Sequence, residues 1–507
     1  MTQSPPSPLG FSTSARSAGG ARFAQAPRTA WAVLAIFAVA VAGCGTTQDV
    51  VACSVTVPCS PGSTCVAGGC VPDDAGVHDD ATTGDLGTSG DAGGDQGDDG
   101  GLVGFCAGGG PLLIPSEGAA GDRCTGQLAE SAFRFAVCSC GEFVVSNTFR
   151  TDSFDSRDGN YDPVEAGTVA AFGTNGSVNL AAAATIGGPA WIAGAEGLSA
   201  NATAPLAVAG NLRVAGPVTS MSTVNVDIDA DINGNLSATS VTIDGSLMQP
   251  AGATIMATTQ AINAQASGVV TVTPPCDCGA SAAVDPAALV TTFASLNDNA
   301  EAGFDPSVLA DHAPGAVIDL PCGRLYAPSL GGTGAVTLRV EGRTALFLGG
   351  DLAPDAAFSV EIVGNGELDL FVQGNLVSAS SVSLGSAATP SRVRLYVGGS
   401  DPVALSGGGT FAGFVYAPFA RFTMSAAIEI FGGLFANGIV ASDSLTVHYD
   451  DAILDAASDC TPSTGCDSCN DCGGDACVGG ECGTCTTNAD CCAPLICFEG
   501  ACGFPFD

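Results

Sequence analysis

From Val224 to Ile232 the chain reads Val-Asn-Val-Asp-Ile-Asp-Ala-Asp-Ile, with apolar and polar residues alternating without a break. Ser240-Val-Thr-Ile-Asp244 carries the same alternation. Successive side chains of a strand face opposite sides, so a period of two predicts strands with one buried face. On this pattern Val224, Val226, Ile228, Ala230 and Ile232 point inward, and Asp227, Asp229 and Asp231 form an outward acidic row. Further along, three echoes recur: Leu346-Phe-Leu-Gly-Gly-Asp-Leu352, Leu370-Phe-Val-Gln-Gly-Asn-Leu376 and Leu395-Tyr-Val-Gly-Gly-Ser-Asp401. Their second turn residues, Gly350, Gly374 and Gly399, lie 24 and 25 residues apart. Ala209-Gly-Asn-Leu212 and Asn233-Gly-Asn-Leu236 repeat the 24-residue interval in the first half. A fixed period of this size marks stacked supersecondary units, and short strands with tight turns fit the coils of a parallel β-helix. The expectation is a solenoid of about 24-residue coils from about Tyr161 to Asp451.

The alternation breaks at Asp285-Pro286, an N-cap followed by proline at the first helical position. Leu289, Val290, Phe293 and Leu296 follow at helical spacing, which predicts a helix from Pro286 to Leu296. Asp305-Pro306 opens a second short turn to about Ala310. The predicted fold class is therefore all-β. It is a parallel β-helix domain over 102–460 with a helical insertion at 285–311, flanked by small disulfide-rich modules.

Arg22 and Arg28 precede Thr29-Ala-Trp-Ala-Val-Leu-Ala-Ile-Phe-Ala-Val-Ala-Val-Ala42, an uncharged run of signal-peptide length that is short for a membrane span. It ends in Val41-Ala42-Gly43-Cys44, which resembles a bacterial lipobox. That resemblance implies that residues 1–43 are a lipoprotein signal peptide and that Cys44 is lipidated. Gly45 in place of an aspartate implies outer-membrane sorting in a Gram-negative-type cell. A small disulfide module over 44–72 follows, then an Asp/Gly linker over 73–101 with nothing to bury, which reads as a disordered, solvated stalk.

The chain has 23 cysteines, and removing Cys44 leaves an even number, as an oxidised exported protein requires. Cys53, Cys59, Cys65 and Cys70 lie in the first module. Cys106, Cys124, Cys138, Cys140, Cys276, Cys278, Cys322 and Cys460 flank or interrupt the central domain. In each Cys-x-Cys pair both cysteines face one side of a strand, so each is expected to bridge to a different partner, with Cys322 and Cys460 as candidates. Residues 461–507 hold the rest: Cys466, Cys469, Cys472, Cys477, Cys482, Cys485, Cys491, Cys492, Cys497 and Cys502. The spacing from Cys485 onward resembles an inhibitor-type disulfide knot.

Charge narrows the partners. There is no lysine, and Lys+Arg total 14 against 51 acids, for a formal net charge of −37. A polyanion of this strength repels nucleic acid, which excludes that class of partner. Asp229-Ala-Asp231-Ile-Asn233-Gly234 matches the opening of a calcium loop, but Ser240 stands where the bidentate glutamate belongs. Asp229, Asp231 and Asn233 are thus a weak calcium site against a solvated acidic face, and no other cofactor motif occurs.

Phe411 to Asp450, with Tyr416-Ala-Pro418, Gly432-Gly-Leu-Phe-Ala436 and His448-Tyr-Asp450, looks like the end of a bacterial surface β-helix domain found beside pilus-associated proteins. It is similar, more distantly, to bactofilins. Asp152-Ser-Phe-Asp-Ser156, Tyr161 and Thr174-Asn-Gly176 look like the start of that domain. The resemblance implies a structural solenoid and brings no catalytic residues with it. The expected function is a non-catalytic surface lipoprotein in adhesion or envelope structure. Its partners would be the membrane, through the anchor, and a polysaccharide or surface protein. The rival class is a β-helix polysaccharide lyase or hydrolase, for which Arg213, Arg339, Arg343, Arg392, Arg394 and Arg421 are the basic candidates. Arg392 and Arg394 are expected to share a strand face. His448 reads as a cap of the closing coil.

Overall fold

The computed structural model describes residues 63–66, 69–72, 106, 112–114, 123–201, 203–278, 284–354, 356–377, 382–405 and 409–458. In the tail it describes 476–478, 481–487, 490–491, 496–498 and 501–503. The chain divides into two units, Met1–Gly94 and Asp95–Asp507. Within the first, Ser63–Val66 and Gly69–Pro72 form an antiparallel hairpin that sets Cys65 opposite Cys70. The signal peptide, Cys44, Cys53, Cys59, the linker, Cys460, Cys466, Cys469, Cys472 and Cys492 lie outside the described residues.

The second unit is a parallel β-solenoid of about 13 turns. Its chain path departs from a simple coil. The first coil is built by Val137–Ser139, Phe143–Val145 and Phe149–Phe154, and it sits in the middle of the stack. On one side it pairs with Phe172–Thr174, Val178–Leu180 and Ala184–Ile186, and the first half climbs away from there to Thr259–Ser267. On its other side lie Leu434–Ala436, Ile439–Ala441 and the closing strand Leu445–Asp450. The second half starts at the far end with Gly323–Ala327 and climbs toward the first coil. Every pairing along this path is parallel, so two segments read in opposite order build one continuous stack.

Between the halves the chain must travel back from one end of the stack to the other. It is fastened on the way by two disulfides, Cys138–Cys276 and Cys140–Cys278. Asn175 adds a pair of bonds, donating to the Cys276 carbonyl at 2.7 Å and accepting from its N–H at 2.9 Å. The helix Pro286–Phe293 follows, and Asp285 Oδ1 caps it by accepting from Ala287 N and Ala288 N. The helix stops at Phe293, short of the expected end, and Leu296 is 54% exposed. Short turns Asn299–Ala302 and Ser307–Ala310 complete the insertion. A further helix, Thr125–Ala132, precedes the first coil and packs against the 3-10 turn Asp451–Asp455 that leaves the last one. The Glu130 carboxylate there accepts from Ala457 N at 2.8 Å.

The 24-residue coil holds for part of the second half only. Leu346, Leu370 and Leu395 stack in register, and the Gly374 and Gly399 amides donate to the carbonyls of Gly350 and Gly374 at 3.1 and 2.7 Å. A Cβ at Gly399 would lie 2.6 Å from the Gly374 carbonyl, so this close approach requires glycine. In the first half the matching echo is not a coil. Leu206 pairs with Val224, Leu212 with Ala230 and Val218 with Leu236, a turn of 18 residues made of three six-residue faces. Leu212 and Leu236 sit on different faces, and 24 residues there is one turn plus one face. Three-residue strands joined by tight corners also break the long strand expected at 224–232. Val226 and Ala230 are buried on either side of a corner, which leaves Ile228 41% exposed.

Candidate functional site

A dense polar cluster forms where the first and last coils meet. Strand Phe149–Phe154 lies beside Leu445–Asp450, with Asp152 paired to His448. Nδ1 of His448 lies 2.5 Å from Asp152 Oδ1, and Nε2 lies 3.2 Å from Glu429 Oε1 on the neighbouring coil. The ring faces Tyr161 at a centroid distance of 4.0 Å and Phe431 at 4.7 Å. Tyr161 donates to Asp152 Oδ2 at 2.9 Å, and the Arg150 guanidinium lies 2.8 Å from the same oxygen. Burial, then the Asp152 carboxylate, push the Tyr161 phenol pKa well up, so the hydroxyl stays a donor. His448 is 3% exposed, with a carboxylate oxygen within hydrogen-bond distance of each ring nitrogen.

A second group sits beside it. The Asp155, Asp450 and Asp451 carboxylates lie within 4.8 Å of one another. Asp450 is fully buried and accepts from Ser156 N and Ser391 N, each at 2.9 Å, joining the first coil to the turn before Val393. Asp155 is held below the usual carboxylate range by its bond to Arg157, which also bridges to Asp455. Asp451 makes no such bond among the described residues, and Arg157 acts on it only weakly. Burial and the neighbouring Asp155 and Asp450 push it up to about 6.

The other predicted residues are scattered. Asp229 Oδ1 accepts from Ser246 N and Ser246 Oγ, Asp231 lies 3.3 Å from Arg213, and Asn233 donates to Ala215 O. Each is bound to an adjacent coil. Arg392 and Arg394 do not share a strand face, because Arg392 ends a 3-10 turn and donates to Gly364 O at 2.6 Å. Arg394 is buried on the face of Val393–Val397 opposite Leu395, forked onto Asp369 at 2.6 and 2.9 Å with Glu367 at 3.2 Å. Burial opposes its charge, but Asp369 and Glu367 outweigh that and hold its pKa above the ordinary arginine value. It is a structural ion pair and not a proton acceptor. Arg339 pairs with Asp319 and Arg421 with Glu142.

The cysteines sort more simply. Each Cys-x-Cys bridges to the other Cys-x-Cys, not to Cys322 or Cys460, and Cys322 instead joins Cys106. Cys124 and Cys477 are also disulfide-bonded. In the tail, Cys485–Cys497 and Cys491–Cys502 interleave, with Cys477 opposite Cys482 in a separate hairpin.

Sequence reading flagged Asp152, Tyr161 and His448 as the ends of a domain but did not bring them into contact, and it missed Glu429. A contact between residues 296 apart leaves no local signal. Residues 294–456 match a family described as a domain of unknown function (DUF7305). The matched stretch holds Glu429, His448, Asp450 and Asp451, while Asp152, Asp155 and Tyr161 lie outside it. No curated protein and no solved structure matches this chain.

Proposed function

We propose that this chain is a non-catalytic surface lipoprotein that displays its solenoid in adhesion or envelope structure. The observation that carries this reading is the use made of the seam. His448, Asp152, Tyr161 and Asp450, the side chains with the most chemistry to offer, are spent on holding the last coil to the first. Stacked coils leave long outward faces for repeated contacts with a polysaccharide or a surface protein. The lipobox-like Val41-Ala42-Gly43-Cys44 supports attachment through Cys44. Screening the purified protein against a polysaccharide panel, with binding and turnover read separately, tests the function. Binding without cleavage is the expected result. Turnover abolished by Glu429→Gln, whose carboxylate is half exposed at the seam, would establish the glycan-cleaving alternative instead. Fractionation tests the anchor: wild type should sediment with outer membranes, and Cys44→Ser should not.

A further inference from the structure

The two ends of the stack are finished differently. At the start of the second half, the outer edge of Gly323–Ala327 is occupied by the helical insertion. Asp298 N donates to Arg324 O at 2.7 Å, and Arg324 N donates to Asp298 Oδ2 at 2.7 Å. The Asn299 amide donates to Tyr326 O at 2.7 Å and accepts from Tyr326 N at 2.9 Å. Two residues thus supply the hydrogen bonds of a missing strand. At the opposite end, Thr259–Ser267 pairs with Ser240–Gln249 and with no other described strand. Of its nine residues, Ile262 alone is half-buried and the rest are exposed.

An uncovered edge of that length is a template for strand addition, and proteins block such edges with charge, proline or a covering element. None is used here. No charged side chain occurs between Asp244 and Asp277, and no proline between Pro250 and Pro274. On a chain of net charge −37, like-charge repulsion opposes self-contact over the acidic remainder and leaves this end free of it. The mouth of the core is also built for a copy of itself. In the strand register Gln260 stands over Val241, Ile262 over Ile243, Gln265 over Leu247 and Ser267 over Gln249, so two amides and a hydroxyl flank the one apolar inward position of the last coil. A primary amide both donates and accepts, which makes the surface self-complementary about a two-fold axis.

We propose that two copies of this chain join end to end through Thr259–Ser267, each strand antiparallel to its symmetry mate, in a closed dimer. At the other end Gly323–Ala327 is capped, and the remaining edge strand, Ala316–Leu320, carries the exposed charge of Asp319, so each copy keeps one edge suited to pairing and growth stops at two. Sedimentation equilibrium of the full chain in density-matched detergent should show a monomer–dimer equilibrium and nothing larger. Ala264→Asp with Ala266→Asp, which places carboxylates on the edge, should raise the dimer dissociation constant at least ~10-fold with the melting temperature unchanged. Val308→Asp, exposed at the capped end, should leave it unchanged. Amide exchange over 259–267 in the wild type should slow as concentration rises, a readout that does not depend on any variant folding. A wild type that stays monomeric up to ~100 µM overturns the proposal. So do concentration-independent exchange, dimerisation unaffected by the edge carboxylates, or assemblies that grow past two.

Discussion

In the first half of the solenoid most faces of a coil are strands of two to four residues, and beyond the ring cluster of Phe143, Phe149 and Phe172 the core is built largely of Leu, Val, Ile and Ala, as in the column Ala190, Leu212, Ala230. In the second half the strands lengthen, and one column carries rings. Phe293, Phe347, Phe371 and Tyr396 stack at 4.0, 4.9 and 4.5 Å with planes within 12° of parallel. A buried Arg394–Asp369 pair lies on neighbouring strands of the same stretch. The comparison teaches that one stacking register can be covered in two ways. The rings and the charge pair alternate with Leu346, Leu370 and Leu395 along their strands, so they lie on the outer face of the coils, and the helix Pro286–Phe293 adds its own ring, Phe293, to that column. The first half is held from outside as well, by the strap that ends in Cys276 and Cys278.

The strap offers the hardest test of that contrast. Removing both of its disulfides, with Cys276→Ser and Cys278→Ser, should destabilise the unit by on the order of 4 kcal/mol in denaturant unfolding, because each closes a loop of 138 residues. Removing one should have a much smaller effect, since the second bridge, two residues away, still closes that loop. Equal losses for single and double variants would contradict this account. Next, Phe371→Ala opens the middle of the aromatic column and should cost ~3–4 kcal/mol; Leu212→Ala, packed between alanines, should fall nearer ~2 kcal/mol. The reverse order would mean that the rings do not carry the second half.

Acidity probes the seam where the halves join. Asp451 has a folded-state pKa raised to about 6, above its value in an unfolded chain, so its protonated form favours the fold. Its contribution is complete below the unfolded pKa, near ~4, and is lost as pH rises through about 6. Relative to Asp451→Asn, wild type should therefore lose stability between pH 4 and 7; a flat difference would show that the cluster is solvated. The smallest effect is expected from Arg157→Ala at the exposed rim, ~1 kcal/mol or less and shrinking with salt.

The alternation at Val224–Ile232 and the Leu346, Leu370 and Leu395 echoes were enough to read a parallel β-helix, because inward positions must be apolar wherever the chain coils. The coil length of the first half was misread for a physical reason. Its three faces are equivalent, so the same Gly-Asn-Leu corner serves any of them, and Leu212 and Leu236 echo one another without stacking. The finer signal was the six-residue step through Leu206, Leu212, Val218, Val224, Ala230 and Leu236. The mid-stack first coil left no periodic trace at all. Pairings such as Asp152 with His448 join positions near the two ends of the domain, where neither alternation nor spacing can reach.

That mid-stack start has a mechanical consequence. The helix Thr125–Ala132 and the turn Asp451–Asp455, which carry the chain into and out of the coils, touch one another at the waist. A load pulling on the chain before Thr125 and after Asp455 therefore reaches the coils at adjacent points. Part of it is borne by the Glu130 contact and the ladder between Phe149–Phe154 and Leu445–Asp450, and part enters the second half through the Cys106–Cys322 bridge, while the coils of the first half stay outside the path of the force. The stack behaves less like a link in a tether than like a crossbar hung off its centre, with the first-half arm slack when the cord is taut.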